Sequence, residues 1–136
     1  MAQGHDLTLA TARKDGWPQA NTVSYVNDGM AIYFATETDS QKAKNLRFCD
    51  KVSATIDLPY DTWGDIKGLS LAAISTFVTQ PEAMNEGFEL LEEKFPQMGD
   101  YADGVQGTIE IIRLDPILIS LIDYARGFGH TELIEM

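Results

Sequence analysis

One short stretch of this sequence concentrates groups that bind anions. Thr36, Thr38 and Ser40 place hydroxyls at alternate positions, and Lys42 follows two residues later. The stretch comes after an alternating apolar run and before Gln41-Lys42-Ala43-Lys44-Asn45-Leu46-Arg47-Phe48, which reads as a short helix capped by Asp39 or Ser40. A helix N-terminus offers unpaired N–H groups and the positive end of the backbone dipole. With hydroxyl donors and one full charge added, a phosphate monoester is the ligand such a site holds well. The same residue types also serve as ordinary caps, so the spacing alone fits a structural role equally. Lys42, Lys44, Arg47 and Lys51 put four of the ten basic residues in one segment, either an anion site or a solvated helix face. On a regular helix Lys42 and Lys44 point about 200° apart, so only one of them can reach a given phosphate.

Other chemistries lack their residues. Cys49 is the only cysteine, which excludes an intramolecular disulfide and a cysteine-based zinc site. His5 and His130 lie at opposite ends of the chain, so no metal site is expected. The sequence holds no phosphate-binding loop of the Walker type, no G-x-S-x-G, no H-E-x-x-H and no C-x-x-C. Gly127-Phe128-Gly129 opens like a dinucleotide fingerprint, but Glu132 stands where the third glycine belongs. A net charge of −11 argues against tracking a phosphate backbone or an anionic membrane. The hydrophobic fraction of 44% argues equally against a disordered acidic tail. Apolar runs such as Ile117-Leu118-Ile119 are far short of the roughly 20 residues that span a bilayer. Met1 to Asp6 carries no basic or apolar leader, so no signal peptide is expected and a reducing cytoplasm is the expected compartment.

The elements that must position the anion-binding stretch are mostly strands. Leu7 to Arg13 alternates, Lys14-Asp15-Gly16 is a hairpin turn, and Gln19 to Val26 returns. After Asn27-Asp28-Gly29, Met30 to Ala35 completes an expected three-stranded meander. The short helix presents Ala43, Leu46 and Phe48 to the core. Val52 to Leu58 is a half-buried strand, and Ile66 to Val78 is a long one with Gly68 as a bulge or close-approach point. Pro81 opens an amphipathic helix with Met84, Phe88, Leu91 and Phe95 inside and five glutamates outside, ended by Pro96. Thr108 to Leu114 and Pro116 to Asp123 read as two strands around an Asp115-Pro116 turn, and Tyr124 to Met136 as a tail. Six or seven antiparallel strands with two flanking helices make a mainly β (α+β) chain, a small barrel in one domain over residues 1–136.

The order of these pieces carries a resemblance. Leu9-Ala10-Thr11, Asp15-Gly16-Trp17-Pro18, Val23-Ser24-Tyr25, Ile32-Tyr33-Phe34-Ala35-Thr36, Ser40-Gln41-Lys42 and Asn45-Leu46 follow one another. Val52 to Ile56, the Trp63 loop and Ile66-Lys67-Gly68 continue the set. This series is similar to the FMN-binding split-barrel family related to pyridoxamine 5′-phosphate oxidase, over residues 7–80 and more loosely in the tail. The resemblance implies an antiparallel split β-barrel that forms a homodimer with FMN in the interface clefts. It implies that Thr36, Ser40, Gln41 and Lys42 hold the FMN phosphate and that Ala35 is a further cofactor-binding residue. By the same resemblance Asn21, Thr22, Val23 and Ser24 lie along the isoalloxazine ring, and Trp63 reaches the flavin near the interface.

Two departures bear on activity. Asn21 stands where the oxidase has a phosphate-binding arginine, and the oxidase's basic C-terminal segment is replaced by Arg126-Gly127-Phe128-Gly129-His130. The resemblance therefore implies an FMN-dependent oxidoreductase acting on a small redox substrate other than pyridoxamine 5′-phosphate. Relatives that carry haem or deazaflavin, or that only sequester flavin, leave a second reading, a non-catalytic flavin-, haem- or deazaflavin-binding split-barrel module, with His130 as the candidate axial ligand for haem.

Overall fold

The alternation read from the sequence is the alternation of burial. Along Lys51–Asp57, Val52, Ala54 and Ile56 are buried while the residues between them are exposed, the pattern of a strand with one face on a core. The computed structural model describes residues 1–98 and 108–136. Among the described residues there are eight strands and two α-helices. They run β1 (Asp6–Ala12), β2 (Pro18–Ser24), β3 (Val26–Asp28), β4 (Ala31–Glu37), α1 (Gln41–Phe48), β5 (Lys51–Asp57), β6 (Lys67–Val78), α2 (Pro81–Lys94), β7 (Ile109–Asp123) and β8 (Thr131–Glu135).

The strands form one antiparallel sheet in the order β2-β1-β5-β6-β7-β4-β3, with β8 added beside β7. The two ends of this path, β2 and β3, are joined by the single residue Tyr25. The sheet must therefore curl until its ends meet, and because β2 and β3 do not pair, the barrel stays split there. Inside lie Leu7, Leu9, Ile32, Phe34, Ile112 and Leu114, each at most 1% exposed. Tyr25, fully buried at the closure, donates its hydroxyl to the Met1 carbonyl.

Four expectations change. The first three strands are not a meander: β1 and β2 form a hairpin closed at Gly16 (φ 91°), but β4 pairs with β3 and β7, not with β2. The Asp115-Pro116 turn is absent, and β7 is continuous over 15 residues. Proline lacks the N–H that a ladder needs, and the sheet absorbs it as a bulge: Ala73 pairs with Pro116 and Ala72 with Leu118, which leaves Ile117 looped out. The tail contributes β8, paired with the second half of β7. Phe48 is 54% exposed, because it follows Leu46 by two residues and so lies about 200° around the helix. Gly68 is a close-approach point as expected. A Cβ there would lie 2.8 Å from the Ile56 carbonyl oxygen and 2.7 Å from Asp57 Oδ1.

Both helices border the split. α1 packs on β1 and β4, and α2 lies across β3, β4 and β7 through Leu91, Phe88 and Phe95. Its five glutamates face outward as read from the sequence. No helix among the described residues is long and apolar enough to cross a membrane.

Candidate functional site

The head of α1 lies one turn beyond the end of β4. Ser40 is the cap: its extended backbone opens the helix, and its Oγ accepts the Ala43 N–H at 3.0 Å. Thr36 Oγ1 lies 2.8 Å from Ser40 Oγ. These two hydroxyls share one hydrogen bond, so one of their two protons is left to donate elsewhere. The N–H groups of Gln41 and Lys42 fall in the first turn, where the helix has no acceptor for them. Thr38 takes no part, because its hydroxyl donates to the Thr108 carbonyl at 2.7 Å.

The four cations of the segment separate. Arg47 donates to the Thr38 carbonyl at 3.0 Å, stacks on Phe77 and faces Glu110. Lys44 and Lys51 are exposed. Lys42 is half-buried, with its ammonium 5.9 Å from the centre of the Phe34 ring. It pairs with no carboxylate of the described residues. Burial alone pushes this ammonium below the usual lysine range.

Lys42 opens onto a cleft of about 450 Å³ at the split, within the size range of roughly 300–1,000 Å³ typical of small-molecule sites. Thr22, Val23 and Ser24 of β2 and Ala35 of β4 form one side, and Leu91, Phe95 and Met98 the other. Beside it, β2 is a sheet edge that no described strand covers. The Tyr25 N–H donates to the His5 carbonyl and the Arg13 N–H to the Trp17 carbonyl. By two-residue alternation, Asn21 and Val23 turn their backbone groups to β1, while Thr22 and Ser24 present N–H and C=O to the open edge.

A chain of amides, buried at Asn45, links this edge to α1. Asn45, 1% exposed, donates to Thr11 Oγ1 (2.9 Å) and Gln19 Oε1 (3.0 Å). It accepts from Gln41 Nε2 (2.8 Å), while Gln19 Nε2 donates to Asn21 Oδ1 (3.0 Å).

A family profile described as pyridoxamine 5′-phosphate oxidase matches residues 5–122. The chain belongs to this family. Among curated proteins nothing matches it. Several solved structures share the fold of this oxidase family member. The haem storage protein HutZ from Vibrio cholerae is 20% identical, covering 84% of this chain and 82% of its own, with a TM-score of 0.72. A haem-binding protein from Mycobacterium smegmatis is 18% identical with a TM-score of 0.82, covering 98% of this chain. The chain spans only 54% of that protein's length. The conserved protein Rv2991 from Mycobacterium tuberculosis is 24% identical with a TM-score of 0.80, covering 96% of this chain and 85% of its own.

Of the residues singled out in the sequence, the fold brings Thr22, Val23, Ser24, Ala35 and Lys42 to one cleft. Thr36, Ser40 and Gln41 stand next to Lys42 at the helix head, and Asn21 next to Thr22. Trp63 stands apart. It lies on a 3₁₀ turn, 67% exposed, with its ring 5.8 Å from Phe128, which in turn lies 5.2 Å from Tyr124. His130 lies in a second cleft of about 240 Å³ with Gly68, Leu121 and Arg126. Its Nε2 is 3.1 Å from Glu132 Oε1, and Arg126 Nη1 donates to the same carboxylate oxygen at 2.6 Å. These two partners hold the Glu132 carboxyl below its usual range, the histidine bond contributing most.

Sequence reasoning treated Leu91 and Phe95 as packing and passed over Gln19 and Asn45. The signal for the amide pair was present. Gln19 and Asn21 share one strand face and Gln41 and Asn45 one helix face.

The donor set fits a flavin mononucleotide. A half-buried ammonium without a carboxylate partner among the described residues and a spare hydroxyl proton suit a phosphate, and a strand edge that no described strand covers suits a flat ring with alternating donors and acceptors.

Proposed function

We propose that this chain binds FMN in the cleft between β2, β4, α1 and α2 and works as an FMN-dependent oxidoreductase on a small molecule. One observation carries the reading. Lys42, desolvated and unpaired among the described residues, opens onto the same cleft as the β2 edge that no described strand covers. Lys42, with the Thr36–Ser40 hydroxyl pair and the N–H of Gln41, would hold the phosphate. The backbone of Thr22 and Ser24 would meet the polar edge of the ring, and Phe95 and Leu91 would exclude water from one side. Bound FMN supplies hydride transfer at its ring; the protein supplies orientation and a dry surface. Asn21 in place of an arginine argues for a substrate other than pyridoxamine 5′-phosphate.

The active form in this reading is a cytoplasmic homodimer. Trp63 and Phe128 form an exposed aromatic pair that does not line its own chain's cleft. A second copy would use such a pair to reach the neighbouring flavin. Trp63→Ala should then weaken FMN binding and dimerisation together, read by sedimentation.

A haem-binding module is the second reading, favoured by the haem proteins among the structural neighbours. His130 is its candidate ligand, but Nε2 is already engaged by Glu132, which leaves Nδ1. The visible spectrum of the purified protein decides. Flavin bands that bleach with a reduced nicotinamide support the oxidoreductase, and a Soret band supports haem. A colourless protein that FMN does not reconstitute removes the first reading.

A further inference from the structure

We infer that Asn45 is a positioning residue for this cleft: through Gln19 it holds the Asn21 amide with its N–H groups outward, so that Asn21 meets an acceptor oxygen of the ligand. The inference rests on the flavin reading and adds the polarity of one contact.

Each amide in the chain is oriented by the one before it. Both Nδ2 protons of Asn45 are donated, to Thr11 and Gln19, and its Oδ1 accepts from Gln41. Gln19, whose oxygen faces Asn45, must turn its nitrogen to Asn21. Asn21 is the last member. Its oxygen is used and its Nδ2 protons have no acceptor among the described residues. It shares its strand face with Val23, two residues on, which lines the cleft. Asn45 is buried beside Ala43 and Leu46 on α1, where an apolar side chain of similar size would fill the same space. What an amide there adds is direction. A buried donor left unmatched is costly, so the direction set at Asn45 propagates to Asn21. The acceptor oxygen belongs either to the phosphoryl group or to a ring carbonyl, and the two are separable.

Gln19→Glu is the informative substitution. A carboxylate still accepts from Asn45 but cannot donate to Asn21, so Asn21 must turn its nitrogen inward and its oxygen toward the ligand. FMN affinity should fall about 3- to 10-fold, the range of one hydrogen bond. The added charge acts whether or not Asn21 is present, so the cycle with Asn21→Ala isolates the reorientation. The effect of Gln19→Glu should shrink in the Asn21→Ala background. Asn45→Leu should show the same dependence on Asn21, and if that variant does not fold, the Gln19 cycle stands alone. Riboflavin assigns the oxygen: a loss for FMN only places it on the phosphoryl group, and an equal loss for riboflavin places it on the ring. An undiminished Gln19→Glu effect without Asn21 overturns the inference. A ligand-free measurement tests it separately. Side-chain amide protons of Asn45 should exchange slowly with water and those of Asn21 fast, and equal protection of the two overturns it. Wild-type protein that shows this contrast but binds neither flavin retains the amide relay and removes the flavin reading.

Discussion

Replacing Lys42 by Met tests the site at its most exposed assumption. The substitution keeps the apolar stem and removes the charge. In the protein without ligand no ion pair among the described residues is lost, and the burial that disfavours the ammonium is relieved. Stability near neutral pH should therefore hold or rise. The pH dependence has a definite sign. The folded-state pKa of Lys42 lies below its unfolded value near 10.5, so in the window beneath 10.5 the unfolded chain holds more protons and stability rises with pH. Lys94, also desolvated, acts in the same direction, while Tyr25, whose hydroxyl is pushed up by burial, acts in the opposite one. The difference between wild type and Lys42→Met isolates Lys42, and the alkaline rise should be smaller in the variant. With ligand the balance reverses. A charge-assisted hydrogen bond to phosphate contributes about 1.5–3 kcal/mol, so FMN should bind the variant roughly 10- to 150-fold more weakly. Riboflavin, which lacks the phosphate, should bind both proteins alike. Titration of flavin fluorescence measures both affinities. Equal FMN affinity in the two proteins, or an equal loss for riboflavin, would refute the assignment of Lys42 to the phosphate.

Three further outcomes follow from the fold. Ser40→Ala removes the cap on Ala43 and the partner of Thr36, and should lower stability by about 1 kcal/mol in a urea melt while weakening FMN binding; an unchanged melt means that the cap contributes nothing. Gly68→Ala drives a methyl into the Ile56 carbonyl and should cost about 1–3 kcal/mol, whereas Gly64→Ala, with nothing within 4 Å, should be close to neutral. Glu132→Gln weakens the bonds to Arg126 and His130 that anchor β8. Because the Glu132 carboxyl lies low in the folded chain, its contribution is present above the usual carboxylate range and lost as pH falls through the folded value. Trp63 emission, followed in a Trp17→Phe background, should show an acid transition that Glu132→Gln abolishes, since Trp63 packs on Phe128 beside that hairpin.

How much of this was legible depends on the range of the interaction. α1 was placed at its observed limits because its cap and its Ala43–Leu46 face are local. β5 was legible because a period of two with buried Val52, Ala54 and Ile56 survives in any sheet. The meander failed because hairpin signals fix only which neighbours in sequence join; whether β2 pairs next with β4 depends on β5, β6 and β7 entering between them. Pro116 misled for a similar reason. A proline reads as a break, yet a strand paired on both sides can carry it at a bulge. β8 reads as tail because all five of its residues are exposed, so no buried alternation marks it as a strand although it pairs with the preceding β7.

The same distinction explains the site. Four cations in ten residues were visible in the sequence, but nothing local says which of them serves an anion. The fold decides by supplying partners. Arg47 is taken by Glu110 and the Thr38 carbonyl, which arrive from β7 and the turn before α1. Lys44 and Lys51 remain in solvent, where an ammonium needs no partner. Lys42 is drawn over Phe34 at the mouth of the split, where water is partly excluded and no described carboxylate answers it. A cation in that position is disfavoured in the empty protein and, in the proposed reading, stabilises the complex. The net charge of −11 bears on neither, because most of it lies on the outer face of α2 and on the strands beyond. At the cleft, one desolvated ammonium outweighs a distant excess of screened carboxylates.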